Sequence, residues 1–316
     1  MGQTRVLVLG ANGQIGTVLV EALRQKWGRE AVISSDLKAP SHPSGPYELI
    51  NVLDQESIRQ AVLKYNVTQI YHLAAILSAR GEQDPINTWN INMQGLLNVL
   101  NTAVEMKLEK VFYPSTIAIY GPTTPKHMTP QQTIFVPTTV YGISKHSGEL
   151  WCNYFHQRYS LDVRSLRYPG VVGWQSPPGG GTTDYAVEIF HEAIKNGTYT
   201  CFLEADTRLP MIYMDDSIRA TLELMDAPKE NIRVRTSYNL AGMSFTPAEL
   251  AVEIQKHISG FSINYIPDFR QAIAKSWNES IDDSEARKDW NWNPHYDLEK
   301  MTSEMIQMLK AQQPSN

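Results

Sequence analysis

Short apolar runs of strand length alternate with longer stretches of helical period through the first half of the chain. The strand-length runs lie at residues 5–9, 31–35, 48–52, 69–74, 110–114 and 162–166. Between them, apolar positions recur at helical spacing over residues 15–26, 57–64, 85–105 and 140–159. Strands that alternate with helices of this length predict an α/β fold, a parallel sheet with helices on both faces. After Pro169 the alternation loses its regularity, a Pro/Gly-rich stretch occupies residues 176–181, and shorter elements are expected. Thr246, Pro247, Ala248 and Glu249 read as a helix start, because Thr caps, Pro suits the first turn and Glu completes a capping box. No internal repeat or low-complexity tract interrupts the pattern.

At 316 residues the chain is long enough for a full doubly wound sheet of the Rossmann type and a smaller C-terminal substrate-binding lobe. The expected division assigns residues 1–170 to the sheet domain, with 209–242 returning to it, and residues 171–208 and 243–316 to the lobe. A hydrophobic share of 42%, a charged share of 19% and a net charge of -5 are ordinary for a globular protein. No apolar run approaches the roughly 18 residues of a membrane span, and no block of Lys and Arg is concentrated enough for a nucleic-acid footprint. Neither membrane nor nucleic acid is therefore an expected partner. Cys152 and Cys201 lack metal-ligand spacing and read as packing residues of a reducing compartment; no metal is expected. The first apolar run, at residues 6–9, is too short for a secretory core, which makes the cytoplasm the default compartment and leaves a trimmed organellar leader open.

Candidate chemistry begins where the first strand ends. Gly10, Gly13 and Gly16 space a GxxGxxG motif between an apolar strand and a helix, and Asp36 ends the second strand about twenty residues later. Glycines in this order permit a tight turn, close approach of a pyrophosphate and tight helix packing. A carboxylate at Asp36 accepts both adenosine ribose hydroxyls and repels a 2′-phosphate, so NAD is expected rather than NADP.

Tyr141 and Lys145 lie four residues apart in a helical stretch, so both project from one face and the ammonium can act on the phenol. Tyr296 and Lys300 repeat the spacing in the C-terminal tail. Position separates the two pairs. Tyr141 follows the fifth strand, whose end carries Ser115 and Thr116, and sheet topology places ligand chemistry at carboxyl ends of strands. The Tyr296 pair has no such surroundings and reads as structural. His72 reads as a packing histidine at a strand end.

GANGQIG at residues 10–16, HLAA at 72–75, PSTIAIYG at 114–121, YGISK at 141–145, RYPG at 167–170, LPMIYMDD at 209–216 and YNLAG at 238–242 resemble the extended short-chain dehydrogenase/reductase family, as does the ending DDSEARKDWNWNP. More narrowly, GGGTTDYAVEIFH from residue 179, NGTYTCFLEADTRLPMIY from 196 and MSFTPAEL from 243 are similar to its threonine-dehydrogenase branch. The resemblance runs along nearly the whole chain.

It implies NAD-dependent oxidation of the L-threonine C3 hydroxyl to 2-amino-3-oxobutanoate. Tyr141 would take the hydroxyl proton, helped by Lys145, while Thr116, favoured by its spacing to the Tyr-Gly pair, or Ser115 holds the oxygen. A phenol of reference pKa near 10 must lose about three units to act near neutrality, roughly 4 kcal/mol, to which Lys145 and the cationic nicotinamide are expected to contribute.

The cofactor would lie on Gly10, Asn12, Gly13, Gln14, Ile15, Gly16, Asp36, Leu37, Asn51, Val52, Leu73, Ala74, Ala75, Asn92, Ser115, Tyr141, Lys145, Tyr168 and Pro169. Asn92 matches the family asparagine that steadies the lysine-bearing helix and aids a water relay; the alternative is a local backbone bond. Substrate contacts are expected from Ser78, Ser115, Thr116, Tyr141, Gly179, Gly180, Thr182 and Thr183, with Gly181 in the same glycine run and Asp184 as an alternative helix cap. The resemblance also implies a homodimer through the helices at 85–105 and 140–159, and eukaryotic relatives point to the mitochondrial matrix. A nucleotide-sugar epimerase or dehydratase with a recycled NAD is the competing reading, since the same fold and Tyr/Lys pair serve it.

Overall fold

The strand β1 (Val6–Leu9) has all four side chains buried, which requires cover on both faces, as in the centre of a parallel sheet. The computed structural model describes residues 3–179 and 181–312, apart from the side chain of Ala79. Its first unit comprises Met1–Thr116, Thr139–Arg167 and Ala220–Tyr238; the second comprises Ile117–Thr138, Tyr168–Arg219 and Asn239–Asn316.

After β1 the chain forms α1 (Gln14–Trp27), β2 (Val32–Asp36), β3 (Tyr47–Leu49), α2 (Gln55–Tyr65), β4 (Gln69–His72), α3 (Ser78–Gly81), α4 (Pro85–Glu105), β5 (Lys110–Thr116), α5 (Val140–Tyr159) and β6 (Val163–Tyr168). It continues through β7 (Gly170–Val172), α6 (Tyr185–Asn196), β8 (Thr198–Cys201), β9 (Leu209–Tyr213), α7 (Met214–Asp226) and β10 (Tyr238–Asn239). The last elements are β11 (Met243–Phe245), α8 (Pro247–Gln255), β12 (Ser262–Tyr265), α9 (Arg270–Ser276), α10 (Ser284–Trp290) and α11 (Leu298–Ala311).

Among the described residues seven strands make one sheet in the order β10-β6-β5-β4-β1-β2-β3. The pairs β1/β2, β2/β3, β1/β4 and β4/β5 are parallel. The order reverses at β1, so the carboxyl ends of β1 and β4 flank the crevice in which doubly wound sheets bind ligands. Leu7, Leu9, Ile33, Ile70 and Val111 pack in one core with Leu96, Val99 and Leu100 of α4 and Phe155 of α5. Burying each such side chain contributes about 1.5–3 kcal/mol. Local chemistry fixes the helix starts. Asp54 caps α2, Asp84 caps α4 beside Pro85, and Thr139 caps α5 by accepting from the Gly142 N–H. The second unit holds the sheets β11-β9-β7 and β12-β8, and α8 opens with the expected capping box of Thr246 and Glu249.

Three details differ from the sequence reading. The run at 48–52 forms a strand only at Tyr47–Leu49; Ile50 and Val52 are buried, but the chain is already turning there, with the Asp54 N–H on the Asn51 carbonyl. The region after Pro169 is more regular than expected, with α6, α7 and α11 all longer than three turns. The units also divide elsewhere. Residues 117–138 group with the second unit, where Asn239 holds them through the Thr129 carbonyl at 3.0 Å and Gln131 at 2.7 Å, and residues 209–242 are shared between both.

Candidate active site

Gly10 directly follows β1 with φ +84°, and a Cβ there would stand 2.6 Å from the Ala74 nitrogen. A Cβ at Gly16 would strike the Gly10 carbonyl oxygen. The strand-to-helix turn is therefore as tight as backbone contact allows, and it stacks on the end of β4 where Leu73, Ala74 and Ala75 follow. Gly13 differs, since a Cβ there would approach only the Gly10 oxygen, at 3.4 Å, so its backbone borders open space. Gly13 is also the N-cap of α1 and offers no side-chain cap, and no acid lies in the first turn that Gln14 and Ile15 begin. An uncapped helix N-terminus behind an open glycine is a fitting cradle for a diphosphate.

The Asp36 carboxylate accepts the Asn12 N–H at 3.0 Å and the Leu37 N–H at 2.7 Å. Asn12 reaches on to the Lys38 carbonyl at 2.6 Å and to the Tyr47 hydroxyl at 3.1 Å, binding the glycine loop to the segment after β2. The residues present thus fit an adenine dinucleotide, with the N–H groups of α1 for its phosphates and Asp36 for a ribose.

Asn51 and Val52 are engaged locally: the Asn51 carboxamide oxygen accepts the Leu53 N–H at 3.0 Å, and the Val52 carbonyl accepts from Asn98 at 2.9 Å. Tyr168 ends β6 and Pro169 follows; both group with the second unit.

At the end of β5, Thr116 is hydrogen-bonded to the Tyr141 phenol. Ser115 turns the other way and donates to buried Glu149 at 2.5 Å. Of the two hydroxyls, Thr116, which the spacing favours, is the one on the phenol. Lys145 is buried and donates to the Pro114 carbonyl at 2.7 Å, with its ammonium 4.5 Å from the Tyr113 ring and 5.8 Å from the Tyr141 ring. Asn92 braces this helix from α4: its carboxamide donates to the Ser144 hydroxyl at 3.1 Å and to the Ile76 carbonyl at 3.0 Å, and accepts the Ile76 N–H at 2.8 Å.

Within the chain alone, burial pushes the Tyr141 phenol up to about 12 despite the lowering contribution of Thr116. Burial also pulls Lys145 down to about 7. The chain alone leaves the phenol protonated at neutrality, because desolvation outweighs the hydrogen bond from Thr116. His72 is buried, stacks on Tyr113 with centroids 6.4 Å apart, and is held down to about 3, first by burial and then by Lys145, so it is a neutral packing group.

In the first unit Ser78 is buried at the start of α3. In the second, Thr182 is buried and its hydroxyl has no hydrogen-bond partner, Thr183 is half-buried, and Gly179 is exposed. Gly180 lies outside the described residues. Asp184 stands at the N-cap of α6 but does not cap it; its carboxylate takes the Gly181 N–H at 2.8 Å and closes the loop on itself. Tyr296 donates to Glu304 at 2.8 Å and Lys300 to the His295 carbonyl at 3.3 Å, so the second Tyr/Lys pair serves local packing.

The sequence reading missed Glu149 and Arg167, which form a buried ion pair at 2.8 Å. The available signal was Glu149 at four residues beyond Lys145, on the same helical face.

Residues 6–241 match the model of the NAD dependent epimerase/dehydratase family. The chain is 48% identical over 308 residues to the mitochondrial L-threonine 3-dehydrogenase of Bos taurus, a match covering 96% of this chain and 82% of that protein. A GalE-like L-threonine dehydrogenase from Cupriavidus necator, solved in its holo form, superposes with a TM-score of 0.95 at 52% identity, covering 96% of this chain and 99% of that one. A monomeric L-threonine 3-dehydrogenase from a metagenome superposes at 0.94 with 48% identity, covering 97% and 99%. With the glycine turn, the acid after β2 and the Tyr/Lys helix in place, and with the family model matched over most of its length, this chain belongs to the NAD dependent epimerase/dehydratase family.

Proposed function

We propose that this protein oxidises the C3 hydroxyl of L-threonine, giving 2-amino-3-oxobutanoate and NADH. The observation that carries the chemistry is the Tyr141 phenol bonded to Thr116 on a helix whose Lys145 is anchored to β5. The substrate comes from the bovine and Cupriavidus relatives, named as threonine dehydrogenases and matched over almost the whole chain.

NAD+, when bound, supplies a hydride acceptor and a positive charge that favours the phenolate. Tyr141 takes the proton of the C3 hydroxyl as the hydride leaves C3, and Thr116 orients the oxygen. Lys145 stabilises the phenolate, and Asn92 keeps the first turn of α5 in place through Ser144. Ser78, Thr182, Thr183 and Gly179 remain proposed substrate contacts; the unpartnered hydroxyl of Thr182 supports its inclusion, since a buried hydroxyl without a partner is costly unless a ligand satisfies it.

The purified protein mixed with NAD+ and L-threonine should generate NADH, with little from D-threonine or L-serine and little when NADP+ replaces NAD+. Preference for NAD+ follows from the Asp36 carboxylate, which repels a 2′-phosphate. Bound NAD+ with no net NADH from threonine would sink the assignment and favour a redox-neutral nucleotide-sugar reaction.

We further propose a homodimer formed through α4 and α5. Ile86 and Trp89 on α4, and Ile143, Leu150, Trp151 and Tyr154 on α5, are exposed in the single chain and support an apolar contact. Light scattering coupled to size exclusion should give twice the chain mass. A single-chain mass at micromolar concentration would instead align this protein with its monomeric metagenome relative. Among the described residues no helix is long and apolar enough to cross a membrane.

A further inference from the structure

An ion pair that the reaction does not consume lies in the first unit behind the reactive helix. Glu149 stands one turn beyond Lys145 on α5. Its carboxylate accepts Arg167 Nε at 3.0 Å and Nη2 at 2.8 Å, and the Ser115 hydroxyl at 2.5 Å. Glu149, Arg167 and Ser115 are all buried. A buried ion pair is a weak source of stability, because desolvating both charges offsets most of their attraction, and apolar residues of similar size often serve as well. Its position is more informative than its energy. The carboxylate fastens three elements at once: α5, which carries Tyr141 and Lys145; β5, through Ser115, the neighbour of Thr116; and β6, through Arg167.

We propose that Glu149 is a positioning residue that acts through Ser115 and Lys145. Its bond to Ser115 sets the end of β5 so that Thr116 meets the phenol, and its negative charge, held by Arg167, keeps Lys145 an ammonium. This rests on the reading of Tyr141, Lys145 and Thr116 as the catalytic set.

The groups around Lys145 leave Glu149 as its anion. On α5 they are Tyr141, Glu149 and Cys152; on β5, Tyr113; on β4, His72. From β6, Arg167 is ion-paired with Glu149, and from α4, uncharged Asn92 reaches the helix through Ser144. Burial raises both the Cys152 thiol and the Tyr113 phenol, so neither is charged at neutral pH, and His72 is neutral. Burial already pulls Lys145 down to about 7, against the raising effect of Cys152 and Glu149. Removing the carboxylate charge lowers it further, and the ammonium is lost at lower pH.

The test compares full-length Glu149→Gln, Glu149→Asp, Ser115→Ala and Tyr141→Phe by pH profiles of kcat, by KM, and by calorimetric Kd for NAD+. Glu149→Gln should keep Kd for NAD+ within about twofold, lose about tenfold in kcat, and move the alkaline fall in activity to lower pH by about one unit. Glu149→Asp should restore the limb, whereas Ser115→Ala should lower kcat without moving it. If Glu149→Gln does not fold, Glu149→Met with Arg167→Met retains the packing without the charges, and the same limb shift is expected. A folded variant with the wild-type limb and kcat, alongside an inactive Tyr141→Phe, overturns the positioning role alone. An active Tyr141→Phe overturns the catalytic reading beneath it.

Discussion

Tyr141→Phe is expected to lower kcat for threonine oxidation by about a thousandfold while leaving the fold intact, within the range that a positioned acid or base contributes. The ring remains, so packing is kept. The substitution removes the phenol's bond to Thr116, at a cost of about 1 kcal/mol. KM and the melting temperature should therefore change little. Thr116→Ala leaves the phenol in place and removes its partner, so its loss should be smaller. Stopped-flow measurement of NADH formation in a single turnover would show whether the loss falls on chemistry. A Tyr141→Phe protein whose single-turnover rate matched the parent would end the assignment of the phenol as base.

Gly16→Val should abolish detectable NAD+ binding and destabilise the protein, and it acts on the other half of the site. The new Cβ meets the Gly10 carbonyl, with the Ala11 carbonyl carbon and oxygen at 2.9 Å; all of these are backbone atoms that cannot swing aside. Overpacking of this kind costs about 1–3 kcal/mol, and here the strain falls on the turn that presents the N–H groups of α1. Gly13→Ala is the informative companion. Its Cβ has room inside the protein, at 3.4 Å from the nearest atom, so the melting temperature should hold while affinity for NAD+ falls. Calorimetric titration with NAD+, read beside thermal melts, separates the two effects. Gly16→Val with unimpaired affinity would contradict the cradle drawn from the glycine turn.

The central strands were legible because burial on both faces writes an uninterrupted apolar run, as in Val6, Leu7, Val8 and Leu9. Asp54, Asp84 and Thr139 make helix starts equally local events. Two-residue β10 had no pattern to read, since its place at the sheet edge is decided by distant strands. Ile50 and Val52 were read as strand because burial, not extended pairing, is what their apolar character reports. Within the site, the spacing of Tyr141 and Lys145 gave their shared face, and spacing to the Tyr-Gly pair favoured Thr116 over Ser115 while keeping both. What no spacing could show is the buried Glu149 carboxylate, which draws Ser115 away. The direction of the Tyr141 and Lys145 shifts was likewise invisible, because it depends on how much water the fold removes from each group.

Helix α5 is used on both sides. Tyr141, Lys145 and Glu149 serve its inner face, while Ile143, Leu150, Trp151 and Tyr154 are left exposed. A rigid rod cannot shift one face without shifting the other, and a displacement of about 1 Å at a reacting group can cost on the order of a hundredfold in rate. In the proposed homodimer, the partner covering the outer aromatics would act as a mechanical support for the proposed proton transfer. On that reading, the exposed side of this helix belongs to the tolerance of the chemistry as much as its buried side does.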